Sequence, residues 1–387
     1  MKGKIEAKTI TDQYEWQIVG GLLLLAFGIH VYSTFGGLIW TSDSFHYWAA
    51  SRSFQSEKVF LAWDGGAYVF WPPLFPIVLS FFNETTYHII HVICFLSSLF
   101  FIYLFFKHLY PKHLVIISLA IFILSVYPYL ISSFLWSETI FTFLLFSGLF
   151  YYEKWSQAKN KNYNLLISSI LLTLMCLQRN AGVFIIFGLS LYCFVIFLKD
   201  RNWKFLFTSA LINLLIVAPN IVWNSYHKIH QTEDYDFSDR HFIVDFIPNL
   251  ETYSVEIIRF FIPIQADTPP WILLTFGLTI LTLVFVRNPK TFPLIIFSSY
   301  IIFFMAMPKF ETSETGRFLA PVFPFIILQI VLLSKEALSK FHSKRIKIII
   351  STLLALLLLY NIARTVQNVA QWNYRSIHNP KSAKIFF

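Results

Sequence analysis

At 387 residues, 56% hydrophobic and only 13% charged, the chain departs from soluble domains, in which about a quarter of residues carry charge. Apolar runs of about 18–24 residues recur along it and read as membrane-crossing helices, whereas a transmembrane barrel would show short alternating segments. The formal charge of +9 is spread over short connectors rather than gathered on one face, which argues against a nucleic-acid partner and matches the positive-inside pattern.

In chain order, the opening segment MKGKIEAKTITDQYEWQ is polar for longer than a cleaved signal peptide allows. The first apolar run reads as a retained signal-anchor. The pattern predicts an all-α polytopic membrane protein of about eleven spans, over 17–40, 87–106, 114–131, 139–152, 163–178, 181–198, 205–226, 271–287, 291–307, 318–334 and 347–363. The fourth to sixth are short, which implies tilt or partial burial. With the N-terminus in the cytoplasm, the Lys/Arg-rich connectors at 107–112, 154–161, 199–204, 287–290 and 335–347 all fall on the inner side. The chain reads as one domain, 1–387, with long outer loops at 41–86 and 227–270 and an outer tail at 364–387. Cys94, Cys176 and Cys193 lie in apolar runs without metal-type spacing or a disulfide framework. No G-x-x-x-x-G-K-[ST] loop supports an ATP-driven pump within the chain.

The first outer loop begins with an acid beside the membrane, Asp43 in IWTSDSFHYWAASRSF. If 43–57 is an interfacial helix, Phe45, Trp48, Ala49 and Arg52 share one face, and Asp43, Tyr47, Ala50 and Phe54 another. Asp43 then sits in the first turn, either as an acid favoured by the helix dipole or as a chemical group. Downstream, Pro72 and Pro73 stop any helix and Pro76 suits the first turn of a second, short interfacial one. His88 and His91 share a helix face with no evident third metal ligand, so packing explains them. Glu138, in LWSETIF, is a further outer acid.

Arg179 lies between two short apolar runs at the outer side. It is either a functional cation or a snorkelling one. The acidic stretch 233–245 places Asp234, Asp236, Ser238 and Asp245 at calcium-loop offsets, but Asp239 stands where the loop needs glycine. In FETSETGRFLAPVFPFI, residues 310–326, Arg317 opens a helix whose Pro321 and Pro324 loosen its first turns. Its guanidinium suits a phosphate, or else a salt bridge to Glu311 or Glu314.

Taken together, these residues resemble the GT-C superfamily of membrane glycosyltransferases, which includes protein O-mannosyltransferases and aminoarabinose transferases. The resemblance rests on Asp43, Tyr47 and Ala50 at the loop start, PPLFP at 72–76, and GRFLAPVFP at 316–324. It differs at Ser44, where many relatives carry a second acid. The resemblance implies a polyprenyl-phosphate-linked sugar donor and a lipid, glycan or protein acceptor; no cofactor or metal is expected, because the 233–245 stretch lacks the calcium-loop glycine and the sequence shows no His/Cys cluster. Asp43 would be the catalytic base of an inverting transfer. Arg317, with Arg179 and Lys309, would bind the leaving phosphate. His46, Tyr47 and Trp71 would contact sugar, with Glu138 and Glu314 as further polar groups of the site. The expected location is a bacterial cytoplasmic membrane, and the Lys/Arg distribution puts the site on the outer face. A polyprenyl-linked polysaccharide polymerase or ligase is the alternative enzyme, although those tend to place a large outer loop late. A transporter or flippase would need ionisable groups at mid-span, and the mid-spans here are nearly free of charge.

Overall fold

The computed structural model describes residues 14–68, 71–157, 162–230, 246–262, 315–340 and 343–381, with scattered positions between 293 and 301. Lys309, Glu314, the acidic stretch 233–245, the predicted span 271–287 and most of 291–307 lie outside the described residues. Among the described residues there is no strand, only the isolated bridges Ile39–Phe134 and Leu61–Ala67.

α1 (Glu15–Ser33) ends before the predicted limit of its span. The hydroxyls of Ser33 and Thr34 both donate to the His30 carbonyl, at 2.8 and 2.9 Å, and close the last turn. Gly36 then passes so near the backbone of Ser376 that a Cβ would lie 2.2 Å from its carbonyl oxygen. α2 (Ser42–Glu57) is the helix expected over 43–57, and its Ser44 Oγ accepts from the Thr41 N–H at 3.0 Å. α3 (Leu74–Ser80) follows the double proline. Arg52 joins the two helices by donating from Nη2 to the carbonyls of Leu79 (2.5 Å) and Phe82 (3.1 Å).

α4 (Glu84–Leu109) is capped by Asn83, whose Oδ1 accepts from the Thr86 N–H at 2.8 Å. The predicted span 114–131 is broken into α5 (Lys112–Ile123) and α6 (Tyr127–Ser132). Pro128 brings no N–H, so it fits the first turn of a new helix and not the interior of one. α7 (Glu138–Gln157), α8 (Asn162–Gln178), α9 (Ala181–Asp200) and α10 (Trp203–His230) follow. α11 (Phe246–Arg259) lies in the second long loop. α12 (Thr315–Leu319) runs through a 3-10 turn at Ala320–Val322, around Pro321, into α13 (Phe323–Lys340). α14 (Lys344–His378) is longer than its predicted span and takes up residues 364–378, read above as tail.

Six described stretches are long and apolar enough to cross a membrane: α1, α4, α9, α10, the compound helix Gly316–Lys340, and α14. α5 and α8 are shorter apolar helices. α7 is not among the six, since Glu138, Glu153 and Lys154 fall within its 20 residues. The protein is an all-α integral membrane protein, with lipid-facing leucines such as Leu24 and Leu353 left exposed. The compound helix is the most buried of the six. Its Phe325 packs on Phe106 and Phe146, with ring centroids 5.2 and 5.5 Å apart. The element that carries Arg317 at its head is therefore the central post of the bundle.

Candidate active site

The site forms where three chain segments converge. The extended stretch before α2 pairs with the stretch before α7: the Ile39 N–H donates to the Ser133 carbonyl (3.0 Å), and the Leu135 N–H donates to the Ile39 carbonyl (2.8 Å). Ser44 Oγ donates to the Leu135 carbonyl (3.0 Å), and Trp136 Nε1 donates to Thr41 Oγ1 (2.8 Å). These buried bonds fix the starts of α2 and α7, and so Asp43 and Glu138, relative to each other.

Arg317 enters between the two acids. Its Nη2 donates to Asp43 Oδ2 at 2.5 Å and its Nε to Glu138 Oε1 at 2.7 Å. Its guanidinium lies 4.4 Å from the centroid of the Trp136 ring. Arg179 donates from Nη1 to the same Glu138 oxygen at 2.5 Å and to Ser137 Oγ at 3.0 Å. The result is a chain of alternating charge, Asp43–Arg317–Glu138–Arg179. Its middle members are sealed, at 2% exposure for Arg317 and 1% for Glu138, while Asp43 and Arg179 retain 16% and 13%. Glu138 lies beneath both guanidiniums and orients them. The accessible acid is Asp43. Burial works most strongly against the Arg179 charge, but Glu138, with Tyr47 and Tyr300, together outweigh it and hold the group above its usual range.

An aromatic group covers the α2 side. The Tyr47 ring packs edge-on to Trp71 and Phe75, at 5.3 and 4.8 Å, and His46 lies 5.8 Å from Trp71. Tyr47 and Tyr68 are each 1% exposed, and neither hydroxyl has a hydrogen-bond partner among the described residues. Burial raises the Tyr47 phenol above its ordinary range and the Asp43 charge raises it further, so it stays a neutral O–H. Of the residues singled out in the sequence, Asp43, Glu138, Arg179 and Arg317 are brought together, and His46, Tyr47 and Trp71 border them. Trp136, Ser137 and Tyr68 belong to the same site and carried no signal in so aromatic a chain.

Behind Arg317 lies a second ionic group. Gly316 abuts the buried Glu256, whose Oε1 would be 3.0 Å from an added Cβ. Glu256 accepts from Arg259 Nη1 (3.1 Å) and Arg364 Nη2 (3.3 Å). His88 and His91 belong to a packing cluster with His30, at ring-centroid distances of 6.1 and 6.2 Å. Their nitrogens are engaged by Thr34, Tyr87 and Ser132.

No protein-family model matches the sequence, and no curated protein matches it either. Solved structures do. The chain is similar to ArnT from Cupriavidus metallidurans in the apo state, at 11% identity and a TM-score of 0.58, over 95% of this chain and 78% of that one. The same enzyme bound to undecaprenyl phosphate aligns with a TM-score of 0.53 at 12% identity, over 95% of this chain and 76% of that one. The oligosaccharyltransferase AglB of Archaeoglobus fulgidus, in complex with an inhibitory peptide and a dolichol-phosphate, gives 0.54 at 14% identity, over 94% of this chain and 56% of that one. These are GT-C membrane glycosyltransferases, and the fold described above is the GT-C fold.

Proposed function

We propose that the protein transfers a sugar from a polyprenyl-phosphate donor to an acceptor hydroxyl of a lipid, glycan or protein, with inversion at the anomeric carbon. The observation that carries this reading is the pairing of Asp43 with Arg317 at the edge of a buried charge chain. An accessible carboxylate adjoins a cation held from behind by Glu138. In the proposed step the acceptor oxygen attacks the anomeric carbon. Its proton passes to Asp43 as the bond from that carbon to the phosphate oxygen breaks. The electron pair of that bond leaves on the phosphate, where Arg317 and Arg179 meet the charge. Both guanidiniums are placed in advance, and preorganised charge is worth most in a site shielded from water. Trp71 and His46 are half-buried and suited to stack on a sugar face, with the buried neutral hydroxyls of Tyr47 and Tyr68 behind them.

The distribution of lysine and arginine supports an inward N-terminus and an outward site. Because the leaving phosphate has two guanidinium partners, the reading expects full turnover in chelator. The deciding measurement is transfer by the purified protein from a synthetic polyprenyl-phosphate sugar, with product configuration assigned by NMR. Inversion supports the proposal. Retention, or no transfer from any lipid-phosphate sugar alongside activity on a lipid-free donor, overturns it.

A further inference from the structure

A cavity of about 550 Å³ lies between α5, α13 and α14, away from the charge chain. Its walls are apolar, with Ile117, Ile121, Ile330 and Leu358 among them, and its polar groups, His113, Ser334 and Lys335, come together at one end. His113 is in the first turn of α5, and Lys335 is near the end of α13. The other end is closed by Leu124 and Phe260.

The charges around the polar end do not cancel. Glu15 is already paired with Lys107 and Lys112, and Glu336 with Lys340. His113, Lys335, Lys344, Arg345 and Lys347 have no acidic partner among the described residues. A basic mouth on an apolar slot between crossing helices has the complementarity of an anionic lipid: phosphate at the rim, chains inside. At 1.5 Å per residue, Lys335 lies about 27 Å along the compound helix from Arg317, nearly the thickness of the hydrocarbon layer. A lipid seated head-first at Lys335 therefore has its phosphate at the opposite membrane face from Arg317 and is not the one whose phosphate meets that residue.

We infer that this slot binds an anionic glycerophospholipid, with its phosphodiester on Lys335 and His113 and its acyl chains against Ile121 and Leu358. The inference does not depend on glycosyl transfer. The test uses delipidated full-length protein in detergent, with phosphatidylglycerol or phosphatidylcholine added, read by native mass spectrometry and thermal shift. The wild type should retain phosphatidylglycerol and be stabilised by it, and respond little to phosphatidylcholine. Lys335→Glu should weaken the phosphatidylglycerol response by roughly tenfold or more. Ile121→Trp, which fills the slot and leaves the charge unchanged, should abolish it. Equal responses to the two lipids, or a phosphatidylglycerol response unchanged by both variants, would overturn the inference. So would a polyprenyl phosphate recovered from the wild type and lost from both.

Discussion

Arg317 and Asp43 are separated by 274 residues of chain and meet at 2.5 Å. The residue that would receive the proton and the residue that would receive the leaving phosphate are thus direct neighbours. Any change to one is felt by the other, and the experiments below are chosen to separate the two roles.

Asp43→Asn preserves an acceptor oxygen for Arg317 but cannot take up a proton. Transfer should fall by about 10²–10⁴-fold. Donor binding, followed by titration with a lipid-phosphate sugar, should stay within a few fold, and thermal stability should change little. Turnover above about a tenth of wild type would return Asp43 to the role of a helix-start acid.

Glu138→Gln should behave in the opposite way. Glu138 is 1% exposed and is the shared partner of Arg179 and Arg317. Removing its charge leaves Arg179 without an ionised partner, and breaking a buried pair of this kind costs about 3–5 kcal/mol. The thermal midpoint should drop markedly, with activity falling in parallel. A variant of normal stability with selectively lost turnover would instead make Glu138 part of the chemistry.

Arg317→Lys keeps the charge but loses the fork that reaches both carboxylates at once. One charge-assisted bond is lost, worth roughly 1.5–3 kcal/mol. The donor KM should rise and kcat should fall, whereas a purely structural Arg317 would affect stability alone.

Gly316→Ala tests the support behind the site. Its Cβ would lie 3.0 Å from Glu256 Oε1 and 3.2 Å from a Leu130 methyl. Overpacking of this kind costs about 1–3 kcal/mol. It should also shift Arg317, so that the donor KM rises. Shortening the acid with Glu256→Asp in the same chain should recover part of both losses, and no recovery would mean that the contact does not transmit.

Orientation is checked by impermeant thiol labelling of intact cells after replacing Cys94, Cys176 and Cys193. Ser56 and Arg201 are both exposed. Ser56→Cys should label and Arg201→Cys should not. The reverse pattern would invert the topology.

The acids and arginines of the site were legible because charge is scarce in this chain, so each one beside an apolar run stands out. Their pairing was not legible. Arg317 has Glu314 three residues away in sequence, yet its described partners are two acids more than a hundred residues distant. Among the described residues, helices stand where apolar length predicts them. Helix ends were not, because Ser33, Thr34 and Pro128 act through local hydrogen bonding, which hydropathy does not register. Trp136 and Tyr68 were hidden among 44 Phe, 19 Tyr and 11 Trp, where no single aromatic residue is informative.

The stretch that delivers Asp43 is gripped from the far end of the chain. The Gly36 N–H donates to Ser376 Oγ, the Trp40 N–H to the Pro380 carbonyl, and Arg375 Nη2 to the Trp40 carbonyl. During synthesis, the stretch that carries Asp43 is made some way ahead of its clamp, with 340 residues between Gly36 and Ser376. Until the clamp is made, the stretch is held by its bonds to Ser133, Leu135 and Trp136, and Arg317 is made between the two sets of partners. A chain halted near residue 370 would hold Asp43, Glu138, Arg179 and Arg317 but lack Arg375, Ser376 and Pro380, whose bonds steady the stretch before α2.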